Sequence, residues 1–96
     1  MSALQAAIAQ GATVIDVRTP GEYKSGHAPS AVNIPLDEIS SHTAELKSHQ
    51  GPVYFICASG SRSGRAAQLM SRQDVDAVNV KGGTMAWVQA GYPVEQ

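Results

Sequence analysis

One cysteine is all that this chain of 96 residues contains, so the chain can form neither an internal disulfide nor a cysteine-rich metal site. Charge is also scarce, because charged residues make up 16% of the sequence and the net charge is −1. That balance gives no general attraction to nucleic acid or to an anionic membrane. No apolar run is long enough for a transmembrane helix, and the first residues lack the basic and apolar regions of a signal peptide. We therefore expect a reduced, cytoplasmic protein that has no nucleic-acid partner and makes no membrane contact through this segment.

The composition that remains suits one small domain over residues 1–96, since 43% of the residues are hydrophobic. Runs of β-branched and apolar residues predict four buried strands, at residues 13–17, 31–34, 53–56 and 77–80. Helix-forming stretches fall before and between them and after the last one, at residues 3–9, 20–24, 36–47, 63–72 and 85–90. The third of these could break in two at residues 40–43. Strands that alternate with helices predict an α/β domain with a mainly parallel sheet.

Polar residues at the ends of these elements predict local contacts. Thr19 precedes Pro20, which indicates a helix cap followed by proline at the first helical position. Thr84 is expected to cap the last helix in the same way. Asp16 ends a buried strand, and a buried carboxylate needs a partner, which Arg18 or a later arginine could supply.

The single cysteine, Cys57, begins the most informative stretch of the chain. It directly follows the predicted strand 53–56, and small residues and Gly60 then lead into a predicted helix that carries Arg62 and Arg65 near its start. Such a strand, loop and helix direct backbone N–H groups towards one point beside the positive end of the helix. Cysteines placed there have pKa values of about 3.5–7.5, against about 8.5 when free.

A lone cysteine is also commonly a small buried hydrophobic residue without chemistry. Core packing, however, requires neither the loop-forming residues nor the two arginines that follow Cys57. The pattern therefore favours a nucleophilic thiolate in an anion-binding loop. No pair among His27, His42 and His49 has metal-ligand spacing near an acid or a thiol, so we expect no metal.

Four motifs in order resemble the rhodanese family of sulfurtransferases in its single-domain form. The stretch IDVRTPGEY at residues 15–23 is similar to the first family signature, and GHAPSAVNIP at residues 26–35 is similar to the second. CASGSRS at residues 57–63 is similar to the active-site loop. Gly82 and Gly83, followed by Trp87, Gly91, Pro93 and Val94, are similar to the family's ending. Each motif alone is weak, but together they cover nearly the whole chain.

The chain departs from the family pattern at three points. Ala28 stands where a bulky aliphatic residue is usual, and Ser30 stands where a glycine is usual. Asp74 stands near the position of another usual glycine, and aspartate tolerates the left-handed conformation moderately well. The chain also begins directly with a helix, so four strands are expected where the family often has five.

The resemblance implies a rhodanese-like three-layer α/β fold, with a mainly parallel sheet of four to five strands and helices on both faces. It also implies sulfur transfer. As a thiolate, Cys57 would take sulfane sulfur from thiosulfate, a polysulfide or a persulfide and hold it as a cysteine persulfide. A thiophilic acceptor, which is cyanide in an assay or a thiol or protein in the cell, would then remove that sulfur. The reaction needs no cofactor.

The expected site residues follow from the same loop. Cys57 is the expected catalytic residue, and the expected substrate-binding residues are Ala58, Ser59, Gly60, Ser61, Arg62 and Ser63. Their backbone N–H groups would stabilise the thiolate, and the Ser59 and Ser61 hydroxyls could add hydrogen bonds. Asp16, Arg18 and Arg65 are expected to be structural or to attract an anionic donor. Either Arg62 or Arg65 could face the pocket, and we favour Arg62.

Three other functions fit part of this pattern. The chain could be a sulfur carrier without turnover, or a protein-binding rhodanese-like module, although inactive relatives typically lack the cysteine. It could also be a cysteine-based phosphatase or arsenate reductase. Those enzymes separate cysteine and arginine by five residues, whereas only four residues separate Cys57 from Arg62. The shorter loop is expected to hold one sulfur atom and to crowd a phosphate ester.

Overall fold

Strands and helices alternate along the chain in the computed structural model, which describes residues 2–96. Met1, the first residue of the predicted domain, lies outside the described residues. The strands are β1 (Thr13–Asp16), β2 (Val32–Asn33), β3 (Val53–Ile56) and β4 (Ala77–Asn79). The helices are α1 (Ser2–Ala9), α2 (Pro20–Lys24), α3 (Thr43–Lys47), α4 (Ser61–Ser71) and α5 (Gly83–Gln89), and a 3₁₀ helix spans Leu36–His42.

The described strands form one parallel sheet in the order β2-β1-β3-β4. The register places Asp16 beside Ile56 on one side and Asn33 on the other, so the carboxyl ends of β1, β2 and β3 lie together. This arrangement confirms the predicted α/β fold and its mainly parallel sheet. Four strands are found in residues 2–96, at the lower end of the expected range.

Each face of the sheet buries its own hydrophobic cluster, which makes the domain three-layered. One cluster joins Ile15 and Phe55 of the central strands, and Cys57 directly after β3, to Ile39 of the 3₁₀ helix and Met70 of α4. The other cluster joins the opposite face of the same strands to α1, α2 and α5; its members include Leu4 of α1, Val14 of β1, Ile56 of β3, Trp87 of α5 and the partly buried Tyr23 of α2. Alternation of side chains along β3 therefore points Phe55 and Cys57 towards the α4 side.

The start of α2 confirms the predicted cap. The Thr19 side chain accepts a hydrogen bond from the Glu22 backbone N–H, and the Glu22 carboxylate accepts one from the Thr19 backbone N–H. Pro20 occupies the first helical position, where its missing N–H has no cost. The predicted break in residues 36–47 is also confirmed, because the 3₁₀ helix ends at His42 and α3 begins at Thr43.

Three predicted strands are longer than the observed ones. β1 ends at Asp16, where the carboxylate accepts a hydrogen bond from the Arg18 backbone N–H and the chain turns. β2 lacks both end residues of the predicted 31–34, because Ala31 is bonded in a turn to the carbonyl of Ala28. β4 ends at Asn79, one residue early. Asp74, near the position where the family usually has glycine, adopts the left-handed conformation with φ 64°, as expected.

The starts of α4 and α5 were also predicted wrongly. α4 begins at Ser61, two residues before the expected Ser63, because Gly60 precedes it with φ 109° and closes the loop early. α5 begins at Gly83 with Gly82 as its N-cap, so Thr84 lies inside the helix and does not cap it. The reason is a docking contact, since the Thr84 backbone N–H donates to the carbonyl of Cys57 at 2.9 Å.

Candidate active site

Cys57 lies directly after β3, at the carboxyl end of the sheet and before the N-terminus of α4. Its side chain is buried, with 1% of the residue exposed, and the cysteine is a free thiol. The Gly60 backbone N–H donates to Cys57 Sγ at 3.1 Å, and the Ser63 hydroxyl lies 3.3 Å from the same sulfur. The Cys57 sulfur thus lies between the apolar cluster on the α4 side of the sheet and the polar loop.

The loop favours the charged form of this sulfur. Burial raises the pKa of the Cys57 thiol, but hydrogen bonds from the Ser63 hydroxyl and from the backbone N–H groups of Ser63, Gly60 and Ser59 lower it. The lowering contributions together outweigh burial, so the pKa lies below its ordinary value. At neutral pH a larger share of Cys57 is therefore present as thiolate, the reactive form, than in a free cysteine.

The start of α5 holds the loop from the other side. The backbone N–H groups of Thr84 and Met85 donate to the carbonyls of Cys57 and Ala58, at 2.9 Å and 3.0 Å. Gly83 makes this close approach possible, because a Cβ at Gly83 would lie 2.6 Å from the Ala58 carbonyl oxygen. Gly83 also has φ 58°, in the left-handed region. The resemblance placed this glycine pair in the family's ending; the structure places it against the active loop.

Asn79 is a site residue that the sequence did not reveal. Its side-chain N–H donates to the Gly60 carbonyl at 3.2 Å, and this bond fixes which end of the amide faces the loop. The Asn79 Oδ1 oxygen then faces the Ser63 hydroxyl at 2.6 Å. Ser63 has one proton, so Asn79 and the Cys57 sulfur compete for it. The available signal was a polar residue in an otherwise apolar strand that ends at the sheet's carboxyl edge.

Arg62 is paired with Glu22, a contact that sequence spacing could not show. Its two terminal nitrogens bind the two carboxylate oxygens of Glu22, at 2.7 Å and 2.9 Å, across 40 positions of sequence. Both side chains are a little over one-third exposed, so the pair lies at the surface beside the loop. The hydrogen bonds from Arg62 lower the pKa of Glu22 to about 2.

The other predicted charged residues divide between the interior and the surface. Asp16 is fully buried, and Arg18 binds both of its carboxylate oxygens while also donating to the Gly26 carbonyl at 2.8 Å. Of the arginines that could have paired with Asp16, the structure selects Arg18. Arg65 is exposed and, with Arg62 and Asp37, borders a groove of about 470 Å³ beside α4.

The remaining loop residues differ in what they present to Cys57. Ser59 and Ser61 are exposed, and the structure of residues 2–96 shows no hydrogen bond from either hydroxyl to the sulfur. Ser59 acts through its backbone N–H. Ala58 is half-buried and binds α5 through its carbonyl. The hydroxyl that reaches the sulfur is that of Ser63, which is fully buried.

Within residues 2–96, no group of histidine, cysteine and acidic side chains is arranged to hold a metal ion. None of the helices described is both long and apolar enough to cross a membrane.

Comparison with known proteins gives a consistent result. Residues 1–90 match the family model described as a rhodanese-like domain. A sulfurtransferase of Allochromatium vinosum is 33% identical over 82 residues, which cover 84% of this chain and 76% of that protein. A crystal structure of a rhodanese-related protein from Thermoplasma volcanium superposes with a TM-score of 0.87 at 35% identity, covering 96% of this chain and 90% of that one.

Some relatives are longer than the matched region. The Bacillus subtilis protein YqhL is 40% identical over 77 residues, which cover 79% of this chain but only 60% of that protein.

Proposed function

This chain belongs to the rhodanese-like domain family, and on that premise we propose that it transfers sulfane sulfur through a persulfide on Cys57. The observation that carries the proposal is the convergence of the Gly60 N–H and the Ser63 hydroxyl on the Cys57 sulfur. Those donors stabilise a thiolate before the reaction and a persulfide anion after it. A sulfurtransferase relative that is 33% identical over 82 residues supports the reaction class.

The first step loads sulfur onto the protein. The Cys57 thiolate attacks the outer sulfur of thiosulfate; the new Sγ–S bond forms as the S–S bond of thiosulfate breaks, and sulfite leaves with the electron pair. With a persulfide R–S–SH, the same attack on the terminal sulfur releases the thiolate RS⁻. Sulfur is transferred without an external oxidant or reductant, and no cofactor takes part.

The second step unloads the sulfur. A thiophilic acceptor attacks the terminal sulfur of the persulfide, and the Cys57 thiolate leaves with the electron pair of the broken S–S bond. Cyanide would leave as thiocyanate, and a thiol would leave as a new persulfide. The lowered pKa of Cys57 makes it a better leaving group in this step, since a more stable thiolate departs faster.

Burial of the cysteine limits what can reach it. Only 1% of Cys57 is exposed, so the loop admits a reacting sulfur atom rather than the body of a donor. A phosphatase needs room for a tetrahedral phosphate between its cysteine and arginine, whereas here Arg62 is bound to Glu22 instead of facing such a group. These contacts favour sulfur transfer over phosphate ester hydrolysis. A reduced compartment such as the cytoplasm would keep the thiol free.

Intact-mass measurement after treatment with thiosulfate tests the proposal. We expect one added sulfur atom per chain, which cyanide removes with release of thiocyanate, and no added sulfur in the Cys57→Ser variant. Alanine in place of the exposed Ser71, at the far end of α4, is the matched control and should load normally. Loading that persists in Cys57→Ser would refute the assignment.

Turnover separates an enzyme from a carrier. Repeated formation of thiocyanate from excess thiosulfate and cyanide would show catalysis, and we expect this result. A single stoichiometric release, with no further turnover, would instead identify a sulfur carrier.

A further inference from the structure

We propose that Glu22 sets the donor preference of the site: by binding Arg62, it disfavours the dianion thiosulfate and favours a persulfide donor of lower charge. This inference rests on the proposed sulfur transfer and adds the donor class to it. The sequence suggested Arg62 as the cation that would attract an anionic donor. In the folded protein that cation already has an anionic partner.

The geometry of the pair leaves little of Arg62 for a substrate. Both terminal nitrogens of its guanidinium point at the two oxygens of one carboxylate, which is the strongest geometry for an arginine. Glu22 is itself held in place, since its Oε1 also accepts from the Thr19 backbone N–H at 3.1 Å. A donor anion that binds Arg62 must therefore displace a carboxylate that the start of α2 positions.

A second arginine near the loop is paired as well. Arg18 is bound to Asp16 in the interior, so its charge is compensated there. Arg65 borders the groove beside α4 together with Asp37 and Arg62. Arg18 and Arg62 are thus each paired with a carboxylate, and neither offers an uncompensated charge to a dianion.

The pair persists over the pH range in which the protein would act. Arg62 holds the pKa of Glu22 at about 2, and Glu22 raises the pKa of Arg62. Both groups are therefore charged at neutral pH. A persulfide R–S–SH needs no site for a sulfonate group, because its reacting sulfur is terminal and its leaving thiolate carries a single charge.

The test compares two donors in a single loading step on the full chain. Thiosulfate carries two charges, and 2-hydroxyethyl persulfide carries at most one. Persulfide formation on Cys57 is followed by intact mass in the wild type and in Glu22→Gln. Glutamine keeps an oxygen that can accept from Thr19, so the cap of α2 is retained while the carboxylate charge is removed.

We expect Glu22→Gln to raise the loading rate with thiosulfate about fivefold, and to leave the rate with 2-hydroxyethyl persulfide unchanged. The gain should shrink as salt is added, because a freed Arg62 attracts the anion through solvent. Combining Glu22→Gln with Arg62→Ala should cancel the gain. A merely structural effect of Glu22 would alter both donors equally and would not depend on salt.

Glu45→Gln is the matched control. It removes the same charge from another surface acid, which lies on α3, pairs with His42 at the end of the 3₁₀ helix and lines a pocket together with Thr13 of β1. The ratio of the two donor rates should stay at its wild-type value in this variant.

Three results would overturn the inference. A slower reaction with thiosulfate in Glu22→Gln would show that Glu22 holds Arg62 for anion binding. An unchanged ratio of the two donor rates would show that the pair has no part in donor choice. If neither donor transfers sulfur to Cys57 of the wild type, both the proposed function and this inference are wrong. If both donors transfer sulfur, the comparison tests the donor preference alone.

Discussion

At the scale of single residues, the chemistry depends on one proton shared by three groups. The Ser63 hydroxyl lies 3.3 Å from the Cys57 sulfur and 2.6 Å from the Asn79 oxygen, and it can donate to only one of them at a time. A thiolate or persulfide anion on Cys57 attracts that proton more strongly than a neutral amide does. We infer that Ser63 turns towards the sulfur when the sulfur is charged.

Replacing Ser63 by alanine should raise the pKa of Cys57. The variant loses a hydroxyl donor that lowers this pKa, while burial of the thiol still raises it. The pH dependence of Cys57 alkylation measures the change directly. Ser71→Ala, an exposed serine at the end of the same helix, should leave the profile in place. An unshifted profile in Ser63→Ala would remove Ser63 from thiolate stabilisation.

Asn79 should also affect the pKa of Cys57, because its side chain is bonded to the loop. In Asn79→Asp the side chain loses the N–H that binds the Gly60 carbonyl and brings a negative charge near Cys57. We expect a higher pKa of Cys57 in Asn79→Asp than in Asn79→Ala, since a like charge disfavours the thiolate. Alkylation profiles of the two variants give the comparison, with Val78→Ala on the same strand as the control. Equal pKa values in the two Asn79 variants would contradict this role.

At the scale of elements, the active loop is held between the starts of two helices. The residues leading into α4 and its first turn contribute N–H groups to the sulfur, and α5 contributes N–H groups to the carbonyls of Cys57 and Ala58. The loop carbonyls of Cys57 and Ala58 therefore have partners, and so does the buried sulfur, which stabilises polar groups that are removed from water. The hydrogen bonds from α5 to these carbonyls explain why α5 begins at Gly83, before the predicted start at residue 85.

Gly83→Ala tests the docking of α5. The new Cβ would contact the backbone of Cys57 and Ala58, neither of which can move without breaking the loop. Gly91→Ala is the control, because Gly91 also has positive φ, at 87°, but has open space around it. We expect urea unfolding to show that Gly83→Ala costs about 1–3 kcal/mol more than Gly91→Ala. Equal losses would mean that backbone conformation alone explains the glycine.

At the scale of the whole molecule, the Glu22–Arg62 pair joins the two faces of the sheet. Glu22 belongs to α2, which packs with the Trp87 cluster, and Arg62 belongs to α4, which packs with Phe55 on the opposite side. The pair links these two helices across the carboxyl edge of the sheet. It therefore contributes to stability as well as to the charge at the loop.

The stability contributed by this pair should depend on pH with a definite sign. The pKa of Glu22 in the folded protein is about 2, below its ordinary 4.5, so the contribution is full above pH 4.5. It should be lost as the pH falls through about 2. Because the pair is partly exposed, we expect no more than about 1 kcal/mol.

Urea unfolding of the wild type and of Glu22→Gln across this pH range provides the measurement. The difference in the free energy of unfolding should shrink steadily between pH 4.5 and 2. A difference that stays constant on acidification would show that the carboxylate charge contributes nothing to stability.

Much of the fold was accessible from local patterns in the sequence. Four β-branched runs predicted the strands, Thr19 and Pro20 predicted the start of α2, and the position of Cys57 between a strand and a helix predicted its place at the sheet's edge. Such features depend on neighbours within a few positions, so the local sequence shows them directly. The errors fell at element ends, where hydrogen bonds to distant segments, such as that of the Thr84 N–H to Cys57, decide the boundary.

By itself, the sequence determined the order of elements, the parallel sheet and the single thiol beside a helix N-terminus. Only the tertiary structure decided which groups meet there. Glu22 and Arg62 are 40 positions apart, and Asn79 reaches Ser63 from another strand. Those contacts depend on strand register and on how two helices dock at one edge, and no local pattern encodes either. For that reason the nucleophile could be recognised from the sequence, whereas the charge that surrounds it could not.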